Sequence, residues 1–521
     1  MRIASAVCWA VVIWAPSCCA QEKDSAVAGR EVAIGALDEY IAKAREEWQV
    51  PGLAVAVVKD DKVLLCKGYG RRAVDSIEPV DADTLFAIAS NSKAFTAVAL
   101  AILVDEGKLS WDDRVSKHLP WFQLQDEFAT TDMRVRDLLC HRSGLGTFSG
   151  DLLWWGTDYS PQEVLKRASH LEPATSFRAS YGYSNLMFLA AGEVVVAVSG
   201  QSWSDFIRQR VFEPLEMNRT ITSIRDLVSQ ENYATPHKTL LEQSQPIPWM
   251  NWDTMAAAGG IISSAEDMSK WLRLQLKHGK LSDDLRVFSS REAVEMWQAQ
   301  TPIKLSSTAS PRFLTTHFRS YGLGWALSDY HGRKIVGHGG GYDGMYSQVL
   351  MVPEENLGIV VLTNSMTSIS SLIAYRVVDD VLGIATKDWS KENLAQFKKS
   401  REEFAAKIRK ATTPVVAGTK PSHPLAEYAG KFRCPMYGDA TVVQEGEKLV
   451  LTLHPYNKLV AELKHLHYDT FEICWRNEFA WFEGGSAHFV ADARGIFQQI
   501  ELDVPNEDLW FHELKLKRVE N

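Results

Sequence analysis

Cysteine is scarce in this chain of 521 residues: there are seven, and Cys8, Cys18 and Cys19 sit within the first twenty positions. The other four, Cys66, Cys140, Cys434 and Cys474, make neither a dense disulfide framework nor a paired C-x-x-C metal pattern. Cys434 and Cys474 fall in one predicted domain, where an oxidising compartment would let them pair. Four separate buried thiols is the preferred reading. Long basic runs are also missing. Lys and Arg total 56 against 65 Asp and Glu, a net charge of −9. Phosphate contacts need clustered positive charge, so no nucleic-acid partner is expected. H-E-x-x-H, G-x-S-x-G and a Walker phosphate loop are all absent, which argues against a zinc peptidase, an α/β-hydrolase and a P-loop enzyme. His465 and His467 read as surface histidines on a strand, and neither metal nor cofactor is expected. No internal repeat is found, and no apolar stretch is long enough for a standard membrane span.

Apolar residues make up 46% of the chain and charged residues 23%, the balance of a globular protein with a large core. The length suggests two or more units. Residues 1–20 read as a secretory signal: Arg2 is the sole charge, Ile3 to Ala15 is almost wholly apolar, and the stretch ends Cys18-Cys19-Ala20. A secreted or periplasmic location follows. A lipid anchor at Cys18 or Cys19 is disfavoured, because Ala15-Pro16-Ser17 is a poor lipobox.

Ile34, Leu37, Ile41, Ala44 and Trp48 recur at helical spacing, predicting a helix over 34–48. Leu53–Val58 and Val63–Gly68 predict a hairpin around Lys59–Lys62. Further helices are expected from Ser90 to Glu106, Asn185 to Ser199, Ala265 to His278 and Ser370 to Leu382. Lys334–Val336, Tyr346–Val352 and Leu357–Thr363 read as antiparallel strands. Strands at both ends with helices between them predict an α/β fold, a sheet flanked by helices with a mainly helical inserted region, over residues 21–385. A charged helix and Pro/Gly-punctuated linker occupy 386–424. Period-two patterns such as Leu449, Leu451 and Leu453 then predict a small all-β domain over 425–521.

Three motifs carry chemistry. Ser90-Asn91-Ser92-Lys93 opens a helix, and positions i and i+3 share a face, so a serine hydroxyl and a lysine amine can enter one site. Serine needs a base to become a nucleophile, and lysine can be that base when burial lowers its pKa. Tyr183-Ser184-Asn185 precedes a helix; a phenol beside the lysine can relay protons and an amide can hold the lysine or a carbonyl. His338-Gly339-Gly340-Gly341 precedes a strand, where side-chain-free backbone lets a substrate approach closely. Each has a bland counterpart: a helix start with an exposed lysine, a buried tyrosine beside an asparagine cap, and a glycine-rich turn.

In this order and context the motifs resemble the serine β-lactamase and penicillin-binding superfamily, more closely the branch of class C β-lactamases, D-stereospecific peptidases and related esterases. Phe86–Thr96, Val135–Leu145, Phe212–Met217, Ala258–Met268 and His338–Ser347 are similar to the same branch, and the likeness covers roughly 34–385. The tail resembles the β-barrel-like domains of some of its peptidases. The resemblance implies that Ser90 is the acylated nucleophile, that Lys93 and Tyr183 share acid–base work, and that Asn185 orients the site. It places His338 where β-lactamases carry the lysine of K-T-G. The backbone N–H groups of Ser90 and Gly341 would form the oxyanion hole, with Gly339 and Gly340 along the substrate. Two departures matter. His338 replaces a permanent cation with a group expected to titrate between pH ~5 and 7, and Gly339 lacks the hydroxyl that helps bind a β-lactam carboxylate. The expected activity is an exported serine hydrolase acting on peptides, amides or esters. A β-lactamase or a catalytically silent sensor are the alternatives. No oligomeric state is read from the sequence.

Overall fold

The computed structural model describes residues 34–239, 243–305, 315–384, 387–456, 458–506 and 508–519. The expected signal and lipid-anchor positions at 1–20 lie outside them. Helix α1 (Ile34–Glu47) buries Leu37, Ile41 and Ala44 along one stripe. Strands β1 (Gly52–Lys59) and β2 (Lys62–Gly70) follow as a hairpin. Its turn residues Asp60 and Asp61 take φ of 52° and 62°, a left-handed conformation that aspartate tolerates. The pleat divides β1 between two cores: Leu53, Val55 and Val57 face one, and Ala54, Ala56 and Val58 the other. Burial on both faces explains its continuous apolar run.

The sheet continues with β3 (Thr301–Pro302), β4 (Arg319–Tyr321), β5 (Ala326–Tyr330), β6 (Arg333–Tyr342), β7 (Met345–Val352) and β8 (Leu357–Thr363), in the order β2-β1-β8-β7-β6-β5-β4-β3. All its paired neighbours run antiparallel. The inserted region supplies α2 (Ser92–Asp105), α3 (Asn185–Ser199) and α4 (Ala265–Leu276). Helix α4 packs on β1 and β8, and its Trp271 stacks on Phe95 of α2 with centroids 3.7 Å apart. The opposite face of the sheet is covered by α1 and α5 (Ile369–Leu382).

Helix α6 (Trp389–Ala411) docks on the same outer core through buried Trp389 and the half-buried Leu394 and Phe397. The strands β9 (Gly430–Cys434), β10 (Gly438–Glu445), β11 (Lys448–Leu453), β12 (Val460–His467), β13 (Thr470–Trp475), β14 (Gly485–Ala491), β15 (Phe497–Asp503) and β16 (Leu516–Arg518) then close into a barrel, which leaves no open sheet edge. The cysteine expectation needs correction. All four described thiols are free, but Cys66 on β2 is only half-buried; Cys474 points outward from β13 and is exposed, while Cys434 faces inward from β9 and is buried. Strand alternation sends the two to opposite sides of the barrel wall, so they neither pair nor share a buried environment. Among the described residues no single helix is long and apolar enough to cross a membrane.

Candidate active site

Ser90 does not begin an α-helix directly. It occupies a 3₁₀ turn, Ala89–Asn91, that runs into α2. The residue before it, Ala89, has φ of 46°, a strained conformation for a side chain with a Cβ. The turn is pinned to β7: Asn91 Nδ2 donates to Ser347 Oγ (2.9 Å), which donates to the Ile88 carbonyl (2.8 Å).

Lys93 is completely buried one turn on. Its Nζ lies 2.7 Å from Asn185 Oδ1, 2.8 Å from the Ala258 carbonyl and 3.0 Å from Ser90 Oγ. Burial pulls its pKa down to about 7, against the opposing pull of Asp151. The first two partners are acceptors only. A neutral Lys93 therefore spends both N–H groups on them and turns its lone pair toward the Ser90 hydroxyl.

Asn185, the first residue of α3, is fixed in orientation because its Nδ2 donates to Asp151 Oδ2 at 2.7 Å. Asp151 also accepts Trp154 Nε1–H at 3.0 Å, and burial raises its pKa to about 7 in spite of these bonds. Tyr183 hydrogen-bonds to Ser90, and burial holds its phenol well above the usual range. Lys93 Nζ sits 4.9 Å from the centre of its ring. The His141 ring packs against that of Tyr183 with centroids 4.1 Å apart and accepts the Ser184 N–H through Nδ1 (3.0 Å). His141, for which the sequence suggested no role, is thus a support for Tyr183.

His338 lies on β6 with 6% exposure. Its Nδ1–H donates to the Gly339 carbonyl (2.5 Å), since a carbonyl can only accept. The remaining nitrogen, Nε2, accepts from Tyr321 OH at 2.7 Å. Burial and the Lys93 charge push its pKa down to about 3. The expectation of a histidine titrating between pH ~5 and 7 is thereby corrected: repulsion from Lys93 has the anticipated sign, but desolvation is the larger cause.

The glycines are strand, not turn. β6 runs from Arg333 through Tyr342, and Gly339, Gly340 and Gly341 pair with Gln348, Ser347 and Tyr346 of β7. On the other side β5 pairs with β6 only as far as Gly337. From His338 onward the strand is paired on one side, which leaves it open toward the cleft, as an extended substrate backbone would need.

These groups meet in a cleft of about 450 Å³ lined by Ser90, Tyr183, Asn185, His338 and Gly339–Gly341. Trp154, Trp155 and Trp252 belong to its wall, whereas Trp249 packs behind, 5.3 Å from the Tyr342 ring. Trp481, Asp508 and Leu509 reach it from the barrel. None of the described lining residues is Lys or Arg, and no metal-ligating cluster occurs among the described residues. Asp151, Tyr321, Asp343, Trp481 and Asp508 carry no motif and were not anticipated. They enter the site through contacts distant in sequence.

The sheet, the inserted helices and the Ser90–Lys93 geometry together define a serine-hydrolase-type β-lactamase fold. The chain belongs to the Beta-lactamase family, whose model matches residues 37–381. Residues 415–518 match a second model, a domain of unknown function (DUF3471). One relative, "Unguisins hydrolase ungD'" of Aspergillus campestris, is 30% identical over 435 residues, covering 79% of this chain and 78% of its own. The octameric penicillin-binding protein homologue from Pyrococcus abyssi shares the fold with a TM-score of 0.60 and 22% identity, covering 91% of this chain and 98% of that one. A D-stereospecific amidohydrolase from Streptomyces sp. shares it over 67% of this chain and 99% of its own, with a TM-score of 0.52 and 23% identity.

Proposed function

We propose that the protein is an exported serine hydrolase that passes an acyl group through Ser90, acting on peptide, amide or ester donors in the manner of D-amino-acid peptidases and esterases. The observation that carries this reading is the buried Lys93 amine, held by two acceptors at 3.0 Å from Ser90 Oγ, where its neutral form can take the hydroxyl proton. As Oγ attacks the donor carbonyl, its proton passes to Lys93. The developing oxyanion is held by the N–H groups of Ser90 and Gly341. Lys93 and the Tyr183 phenol return the proton to the leaving nitrogen or oxygen, which departs as amine or alcohol. Water then attacks the acyl-serine as its proton passes to the same base, which hands that proton to the departing Ser90 Oγ as the acid is released. A relative named as a hydrolase over most of both chains supports this class, and the Met1–Ala20 pattern supports export.

Donor charge follows from the cleft. A neutral His338 and a lining without Lys or Arg leave no cation for a carboxylate beside the scissile bond other than Lys93, which must be neutral to act as the base. Uncharged peptide, amide or ester donors suit the site better than penicillins. Labelling with a fluorescent fluorophosphonate tests the reading. The wild-type protein should be labelled and Ser90→Ala should not. A panel of p-nitrophenyl esters, D-aminoacyl anilides and nitrocefin should show esters or anilides turned over faster than nitrocefin. A folded Ser90→Ala protein with near-wild-type turnover would overturn the assignment, and an unlabelled wild type would favour the silent sensor.

A further inference from the structure

The geometry points to the barrel loop at 476–484 as the wall that selects the substrate, admitting donors with an aromatic or large apolar side chain beside the scissile carbonyl. This rests on the hydrolase reading above.

The loop joins β13 to β14 yet is built to fit the catalytic domain. Near its two ends Glu478 and Glu483 lie 3.2 and 3.5 Å from Lys238 Nζ, whose side chain is only 7% exposed. Between them Phe479 and Phe482 are buried, with ring centroids 5.6 and 5.5 Å from that of Trp155. Trp481, flanked by this pair, hydrogen-bonds to the Asp343 carboxylate. The same carboxylate accepts Trp155 Nε1–H at 3.3 Å and Trp252 Nε1–H at 2.9 Å. One buried acid thus ties a barrel tryptophan to two tryptophans of the cleft wall. An unpaired buried carboxylate would be costly, so three indole donors make a strong positional constraint.

The constraint places the Trp481 ring beside the reacting strand. A Cβ built on Gly341 would lie 3.2 Å from Trp481 Cη2. Trp481 therefore stands next to the residue assigned to the oxyanion hole and remains part of the cleft surface. Backed by the buried indoles of Trp155 and Trp252, the half-buried Trp481 presents an aromatic face that rewards apolar contact and offers no cation to an anionic group. Selection by such a face is worth roughly 10–200-fold between large and small groups.

The test compares p-nitrophenyl 3-phenylpropanoate with p-nitrophenyl acetate, which share a leaving group. Wild type should favour the phenylpropanoate in kcat/KM. Trp481→Ala should lose roughly tenfold or more of that preference, mainly through KM, and should still take the fluorophosphonate label. Trp481→Phe should retain most of the preference. Should Trp481→Ala fail to fold, Trp481→Ser read by the same ratio replaces it, with folding checked by thermal melting. A labelled Trp481→Ala or Trp481→Ser enzyme with wild-type preference, or a wild type that favours the acetate, overturns the inference alone. A wild type that takes no label overturns the hydrolase reading beneath it.

Discussion

Lys93 and His338 share one cleft, and burial lowers the pKa of both, with different consequences. For Lys93 the shift, to about 7, creates a base. A base works unprotonated, so kcat/KM should fall as pH drops below about 7 and level off above it. For His338 the shift, to about 3, removes any change of charge across that range. His338→Ala should therefore leave the limb near pH 7 in place, whereas a limb that disappears with His338 would return the titration to the histidine. Lys93→Arg keeps the charge but cannot give up its proton, and should lower kcat by roughly 10²–10⁴-fold. Both are read from pH–rate profiles on one p-nitrophenyl ester. The residue types at 90, 93 and 183 were legible in the sequence because their spacing is local or their order is recognisable. The depth of burial was not, since it depends on Asp151, Tyr321 and the cleft walls that the fold brings in.

At the scale of elements, β6 decides how a substrate can lie. Its three glycines have unequal reasons to lack side chains. A Cβ on Gly340 would collide with the Ile88 carbonyl oxygen and Ser347 Oγ, so the nucleophile's turn and this strand cannot both keep their places. A Cβ on Gly339 would meet nothing nearer than Gln348 Oε1 at 3.7 Å and the Ser347 carbonyl oxygen at 4.0 Å, both ordinary contacts. Gly340→Ala should cost roughly 1–3 kcal/mol by overpacking and reduce turnover by shifting Ser90. Gly339→Ala should melt within a few degrees of wild type. Thermal unfolding of the two variants side by side checks the contrast, and equal melting temperatures would count against it. The helices at 34, 185 and 265 could be read from periodicity to within a few residues. β6 could be read only as far as Val336, because consecutive glycines have no alternation and look like a break. What holds them in a strand is pairing with β7, a tertiary fact.

Across the whole molecule, the barrel is fastened to the catalytic domain by a second contact, at Glu513. Its carboxylate accepts Ser149 Oγ–H at 2.7 Å, the Gly150 N–H at 3.1 Å and the Tyr437 hydroxyl. Ser149 and Glu513 are 364 residues apart in sequence, so no local pattern could announce the pair. A switch from helical to alternating patterning marks the change of architecture near 425, but patterning is silent on docking, which depends on single side chains meeting across domains. The residue after Gly150 is Asp151, which orients Asn185 and through it Lys93. The barrel thus supports the general base at one remove. Residues 412–424 are the exposed connection, and limited proteolysis should cut there. The nicked halves should still co-elute on gel filtration and retain activity, because Glu513, Lys238 and Asp343 hold them together without the linker. Glu513→Ala removes one acceptor from three donors, and leaving them unpaired should lower stability by about 1–3 kcal/mol. It should also lower kcat more than it raises KM, since the loop it holds positions the base rather than the substrate. Glu513→Gln keeps an acceptor oxygen and should recover part of both. A Glu513→Ala protein that loses stability but keeps wild-type kcat would confine this contact to docking and separate the barrel from the proton transfer.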